Sequence, residues 1–169
     1  MSQHDTPMTA AHIWREMTAE QRLAAAAALW ADADSTHQQI EAVQAIATQL
    51  RFRFQSVLKL PLEKRVRHLA ALRVVSESLA SRALVVYHLT EKRPMLEAFL
   101  DALGIAHEGG LIAEGAKDAP EPAALREAAT ALLAAFPPAD VRVYFLTLAA
   151  QDPATWGALQ PLAGELLSS

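Results

Sequence analysis

The chain contains no cysteine, which excludes disulfide bonds, thiolate metal sites and a cysteine nucleophile. It also lacks a His-Glu-x-x-His helix, a glycine-rich phosphate loop and a nucleophile elbow, so we expect no cofactor. Asp34, His37 and Glu41 have a spacing that places three metal-ligand types on one helix face. Di-iron bundles need a second matching set, which is missing. We therefore interpret Asp34 as a helix cap and predict no metal site.

Aromatic residues make up only 6% of the chain, and β-branched residues are also sparse. Alanine and leucine, which favour helices, are abundant instead. The apolar fraction of 52% and the charged fraction of 20% are typical of a globular protein. The composition therefore predicts an all-α fold. We expect residues 1–169 to form a single domain, a multi-helix orthogonal or hairpin-stacked bundle of about seven to nine helices.

No apolar stretch approaches the roughly 20 residues that a membrane-spanning helix needs, so we expect no membrane partner. The first residues, MSQHDTPM, lack the basic segment and apolar run of a signal peptide. We expect residues 1–8 to form a flexible tail. A cytoplasmic location is the default expectation for such a sequence.

Capping signals predict the helices of the first half of the chain. Thr9 can cap a short helix that ends near Met17, and Thr18 with Gln21 has capping-box spacing. The capping box opens a helix to about Ala31. Its predicted apolar stripe is Leu23, Ala26, Ala27 and Trp30. Asp34 or Ser35 then caps a third helix to about Phe54, with a predicted apolar face of Ile40, Val43, Ile46, Ala47 and Leu50.

The helical pattern continues from residue 62 to residue 91, and it fits either one long helix or two. Ser76 with Glu77 offers a cap for a second helix at the interruption. Pro94 begins another helix, for which Gly104 followed by Ile105 is a stop signal. Residues 106–119 are predicted to be one long irregular loop. Further helices are expected at about 120–136 and 139–151, followed by two short ones that begin at Asp152-Pro153 and at Pro161.

Charge is sorted by position along the chain. Residues 51–93 hold ten lysines and arginines and three acids, for a local net charge of +7. The preceding residues carry a net charge of −4 and the following ones a net charge of −7. The cationic centre can bind an anionic partner or be neutralised by the acidic flanks. The pI of about 5.8 argues against a general DNA-binding protein.

The segment from Leu69 to Leu84 resembles the helix-turn-helix of lac-repressor-type transcription factors. The matching positions are Ala70 in the first helix, Val75-Ser76 at the entry to the second, and Ser81-Arg82 on the second. The resemblance implies that Ser81 and Arg82 approach DNA. The turn position usually held by glycine is Val74, which disfavours a positive φ. The nucleic-acid-binding candidates are Lys64, Arg65, Arg67, Arg73, Ser81 and Arg82.

A second group of polar side chains begins near the end of the cationic centre, residues 51–93, and extends beyond it. His88 and Glu91 are one helical turn apart, so a carboxylate could orient the imidazole. Arg93 precedes a helix start, where backbone N–H groups also attract anions. His107 and Glu108 begin the glycine-bearing loop. These five residues are the candidate site for a small molecule or anion, as in an enzyme or a sensor.

The sequence favours a binding or scaffolding protein without catalytic activity, whose ligand its residues do not identify. A protein partner or self-association, as in a homodimer, is the expected mode. The two alternatives are a DNA-binding regulator that uses residues 69–84, and an enzyme or sensor built around His88, Arg93 and His107. No catalytic residue is predicted, because no nucleophile, metal or cofactor accompanies the histidines.

Overall fold

A computed structural model describes residues 8–115 and 119–167, and it is almost entirely helical. The all-α prediction is confirmed. Nine helices have seven or more residues, and two of about one turn bring the total in the described ranges to eleven. The elements are α1 (Ala10–Glu16), α2 (Ala19–Ala31), α3 (Thr36–Leu50), α4 (Phe54–Leu58), α5 (Leu62–Ala71), α6 (Glu77–Glu91), α7 (Arg93–Ala102), β1 (His107–Glu108), β2 (Leu111–Ile112), α8 (Pro122–Ala135), α9 (Pro138–Gln151), α10 (Pro153–Trp156) and α11 (Leu159–Leu167).

The chain divides into two compact units. Residues 10–91, which contain α1 to α6, form the N-terminal unit. The C-terminal unit contains α7 to α11 and the two short strands, together with residues 8 and 9. The predicted flexible tail lies outside the described residues except for Met8, whose backbone N–H donates to Gln160 Oε1 at 3.2 Å. No helix in the described ranges is long and apolar enough to cross a bilayer.

In the N-terminal unit, α2 packs against α5 and α6, and α6 also packs against α1 and α3. The small buried residues of α2, such as Ala25 and Ala26, let these helices approach closely. The indole of Trp14 is buried in α1, and its Nε1 donates to the carbonyl of Leu72 at 2.7 Å. The largest fully buried side chains of this core are Trp14, Ile13, Leu29, Ile46, Leu69, Leu79 and Leu84.

The predicted capping box is confirmed, but the predicted apolar face of α2 is wrong at two of its four positions, since Ala26 is buried and Trp30 is half-buried. Thr18 Oγ1 accepts from the Gln21 backbone N–H, and Gln21 Oε1 accepts from the Thr18 N–H, each at 3.0 Å. Leu23 is 44% exposed and Ala27 is also exposed. The helix instead turns Arg22 inward, where its guanidinium donates to the carbonyls of Ala70, at 2.9 Å, and of Met17. These bonds satisfy carbonyls at the ends of neighbouring helices and tie α2 to them.

The third helix ends earlier than the sequence predicts. Arg51 adopts a left-handed conformation with φ of 58°, which stops α3 at Leu50 rather than near Phe54. The backbone N–H of Phe52 then donates to the carbonyl of Ala47 at 2.9 Å, as in a Schellman-type helix end. The chain resumes as the separate helix α4. Ile40, predicted on the apolar face of α3, is 50% exposed.

Residues 62–91 form two helices, α5 and α6, with a break at residues 72–76. The predicted cap is present, because Ser76 Oγ accepts from the backbone N–H of Leu79 at 3.1 Å. The carboxylate of Glu77 accepts from the N–H groups of Ala10 and Ala11 at 2.7 and 3.0 Å. Glu77 of α6 therefore caps the first turn of α1.

In the C-terminal unit, α9 packs against α10 and α11, and α7 packs against α8. Phe99 lies at the centre of an aromatic cluster, with ring centroids 5.7 Å from Tyr144, 5.1 Å from Phe145 and 6.0 Å from Trp156. The predicted stop at Gly104 is confirmed by its φ of 68° and by the bond from the Ile105 N–H to the Leu100 carbonyl at 3.0 Å.

The prediction of an irregular loop at 106–119 is wrong for its first half. His107–Glu108 and Leu111–Ile112 pair as a short antiparallel hairpin. Its turn is Gly109-Gly110, in which both residues have positive φ, of 59° and 93°. Two consecutive left-handed residues make the tight turn that a two-residue hairpin needs, and glycine adopts them without strain. Residues 116–118 of the predicted loop lie outside the described residues.

Candidate binding surface

The segment from residue 51 to residue 64 presents four exposed cationic side chains. They are Arg51, Arg53, Lys59 and Lys64. The two arginines flank Phe52 in the sequence, at the left-handed turn that ends α3, and α4 separates them from the two lysines. Val57 of α4 is completely buried, and α4 packs on α3. We call residues 51–64 the basic strip.

The cations of the basic strip are not neutralised by the acidic side chains of their own unit. None of the four forms an ion pair with a carboxylate in the described part of the N-terminal unit. The single acid within the strip, Glu63, pairs with Arg67 one turn later on α5. Arg51, Arg53, Lys59 and Lys64 therefore leave four positive charges in contact with solvent.

Other cations of the cationic centre lie outside the basic strip, and most of them contact side chains of the chain itself. Arg65 is half-buried, and its guanidinium lies 5.8 Å from the centre of the Trp30 ring, a cation–π contact. Arg73 is exposed in the break between α5 and α6. Burial first, and then the positive charge of Arg73, lowers the pKa of Arg22. Arg67 is exposed but paired with Glu63.

The residues that would approach DNA in the helix-turn-helix interpretation are largely engaged inside the unit. The guanidinium of Arg82 donates to Ser35 Oγ at 2.8 Å and to Asp32 Oδ2 at 3.0 Å. Ser81 is half-buried. α6 is packed by α1, α2 and α3, whereas a recognition helix needs a free face for the major groove. Val74 has no left-handed backbone, so the turn differs from the one in that family.

The candidate small-molecule residues fall in both units. In the N-terminal unit, the ring of His88 is buried, with its centroid 5.2 Å from that of Tyr87, whereas Glu91 is exposed. In the C-terminal unit, Arg93 begins α7, and His107 and Glu108 form β1. Glu108 is exposed.

The imidazole of His107 contacts both the hairpin turn and α7. Its Nδ1 accepts from the backbone N–H of Gly110 at 3.2 Å, and its Nε2 lies 2.7 Å from Asp101 Oδ1. Because Nδ1 accepts, the proton of the neutral ring belongs on Nε2, which donates to Asp101. A Cβ added to Gly109 would lie 3.5 Å from Arg93 Cζ. His107 and Arg93 thus hold the hairpin turn against α7.

A cavity of about 200 Å³ lies in the C-terminal unit. It is lined by Ile105, Ile112, Leu148, Gln151, Asp152, Thr155 and Trp156. Asp152 Oδ1 accepts from the Thr155 backbone N–H at 3.3 Å, so part of its carboxylate is used as the cap of α10. None of the five candidate small-molecule residues lines this cavity.

Among the described residues, no three histidine, aspartate or glutamate side chains are arranged so that they could hold a metal ion. Of the ligand types noted at the start of α3, His37 Nε2 lies 3.8 Å from Glu41 Oε1 and Asp34 is exposed.

Two features of the N-terminal unit were not predicted from the sequence. The first is Arg22, which stands alone in an alanine-rich helix and whose burial depends on tertiary partners. The second is the exposure of Phe52, Leu58 and Leu62 within the basic strip. The repeat Arg-Phe-Arg-Phe at residues 51–54 was the available signal, because aromatic residues among arginines are typical of interfaces.

Comparison of the chain with protein-family models, with curated proteins and with solved structures found no match. The functional argument therefore depends on the residues and their geometry.

Proposed function

We propose that the protein is a non-enzymatic binding protein that holds an anionic macromolecule on the basic strip. The observation that supports this most directly is the state of Arg51, Arg53, Lys59 and Lys64. All four are exposed, and none of them forms an ion pair with a carboxylate in the described part of their unit. Like charges this close in sequence repel one another, so a bound polyanion would relieve that repulsion.

Enzymatic and DNA-reading functions have weaker support from the geometry. The imidazole of His107 and the guanidinium of Arg82 are already committed to intramolecular contacts. A base or an anion-binding group needs an accessible polar atom. The basic strip meets this requirement, whereas the two alternative sites meet it less well.

The test is the binding of a labelled acidic polypeptide, polyglutamate, to the full chain, measured by fluorescence anisotropy. We expect saturable binding at low salt. The affinity should fall by about a hundredfold between roughly 50 and 200 mM salt, because each of the four charge pairs is weakened as salt rises. The variant Arg51→Gln/Arg53→Gln should weaken binding by about tenfold at low salt, since it removes two of the four charges.

The matched control is Arg15→Gln/Arg126→Gln, which removes two exposed positive charges outside the strip. Its net charge is therefore the same as that of Arg51→Gln/Arg53→Gln. It should bind polyglutamate as the unmodified chain does. Absence of saturable binding at low salt, or equal losses in the two variants, would overturn the proposal.

A further inference from the structure

Three large apolar side chains are exposed within the basic strip. Phe52 is 51% exposed, Leu58 is 39% exposed and Leu62 is 51% exposed. They alternate along the chain with the four cations, so no cation is more than three residues from one of them. The surface therefore offers apolar contact and positive charge within the same fourteen residues.

The backbone that carries these side chains is ordered before any partner binds. The N–H of Phe52 is bonded to the carbonyl of Ala47, and Leu58 follows directly after the fully buried Val57. Pro61 fixes the start of α5, and Leu62 is the first residue of that helix. A surface that is ordered in advance loses little conformational entropy on binding.

The mixture of side chains discriminates between classes of anionic partner. A nucleic-acid backbone presents phosphates and sugars, and bases could stack on Phe52 but would leave Leu58 and Leu62 in water. A purely acidic polypeptide would likewise leave all three apolar side chains exposed. An acidic segment that also carries apolar residues can cover the three side chains and pair its carboxylates with the arginines, which bind carboxylates in a bidentate manner.

We infer that the basic strip binds an acidic amphipathic segment of another protein, with glutamates or aspartates facing Arg51, Arg53, Lys59 and Lys64 and apolar side chains covering Phe52, Leu58 and Leu62. This inference rests on the proposed function and specifies its partner. Arginine and aromatic residues are enriched in the centres of protein interfaces, as they are here at residues 51–53.

The experiment compares two labelled peptides of equal charge on the full chain. One is an amphipathic helix with glutamates on one side and leucines on the other, and the second replaces each leucine by glutamine. Binding of the first should be about tenfold tighter or more, because burial of three half-exposed apolar side chains adds to the charge pairing. The variant Phe52→Gln/Leu58→Gln/Leu62→Gln should abolish that difference between the peptides.

The chain provides a matched control for the apolar substitutions. Leu23 and Ile40 are exposed to a similar extent in the same unit but lie outside the strip. The variant Leu23→Gln/Ile40→Gln should retain the preference for the leucine-containing peptide. All replaced side chains are exposed, so circular dichroism should show unchanged helix content in both variants.

The outcomes separate this inference from the proposed function. If both peptides bind equally and only Arg51→Gln/Arg53→Gln weakens them, the inference fails and the proposed function remains. Tighter binding of single-stranded DNA, of phosphatidylserine vesicles or of a second copy of the chain would also overturn the inference, because the strip would then serve another class of partner. If neither peptide nor polyglutamate binds, both proposals fail.

Discussion

Asp32, Ser35 and Arg82 form a polar triad that joins the start of α3 to α6. The hydroxyl of Ser35 donates to the Asp32 carboxylate and accepts from Arg82 Nε. The Ser35 hydrogen bond is the main cause that lowers the pKa of Asp32, Arg82 lowers it further, and partial burial opposes both. Ser35 is completely buried, so its hydroxyl would lose hydrogen-bond partners if the triad broke.

The triad gives a pH-dependent contribution to stability. The pKa of Asp32 is lower in the folded chain than its ordinary value of 3.8. The contribution of Asp32 is therefore fully present above about pH 4 and is lost as the pH falls through the lowered value. We expect Asp32→Asn to reduce the free energy of unfolding by roughly 1–2 kcal/mol at pH 7. Urea denaturation should show this difference shrinking between about pH 4 and pH 2.

Asp34→Asn is the control for this measurement, because it removes an exposed carboxylate two residues away that takes no part in the triad. A loss of stability in Asp32→Asn that is equally large at pH 7 and at pH 2 would contradict the role assigned to the ionised carboxylate.

At the scale of helices, the ends that carry a local capping or stop signal were easier to predict from sequence than the buried faces. Thr18 with Gln21, Ser76 and Gly104 act through neighbours within a few residues, so local sequence contains their signal. The face of α2 was mispredicted because alanines give little contrast between its sides. The distant carbonyl of Ala70 determines that Arg22 faces inward, and no local pattern reports such a partner.

The cap of α1 is the clearest case of one helix stabilising another. Glu77 accepts from the first two N–H groups of α1 and places a negative charge at its positive end. We expect Glu77→Ala to reduce the free energy of unfolding by about 1 kcal/mol, and Glu77→Gln by less, since glutamine still accepts one hydrogen bond. Urea denaturation followed by tryptophan fluorescence suits this test, because Trp14 lies on α1.

The control is Glu127→Gln, which removes an exposed carboxylate from the middle of α8. Equal stability of Glu77→Ala and the unmodified chain would show that the Glu77 carboxylate is not needed to hold the first turn of α1.

At the scale of the whole chain, the sorting of charge was readable from the sequence, but the state of the cationic block was not. Counting residues gives the local charges, whereas only the fold shows that Arg67 and Arg82 are paired while Arg51 and Arg53 are open. The left-handed conformation of Arg51, which ends α3, was likewise not predicted. A non-glycine residue in that conformation is uncommon, so sequence gave no reason to expect it.

Segregated charge predicts a chromatographic behaviour that net charge alone does not. The chain has a net charge of −4 at pH 7, so evenly spread charge would send it through a cation-exchange column. Because the basic strip is open, we expect retention at low salt and elution as rising salt screens the strip. Arg51→Gln/Arg53→Gln should elute earlier than Arg15→Gln/Arg126→Gln, although the two variants have the same net charge. Passage of the unmodified chain through the column at low salt would show that the strip does not act as an accessible cationic surface, since the matrix needs only exposed charge.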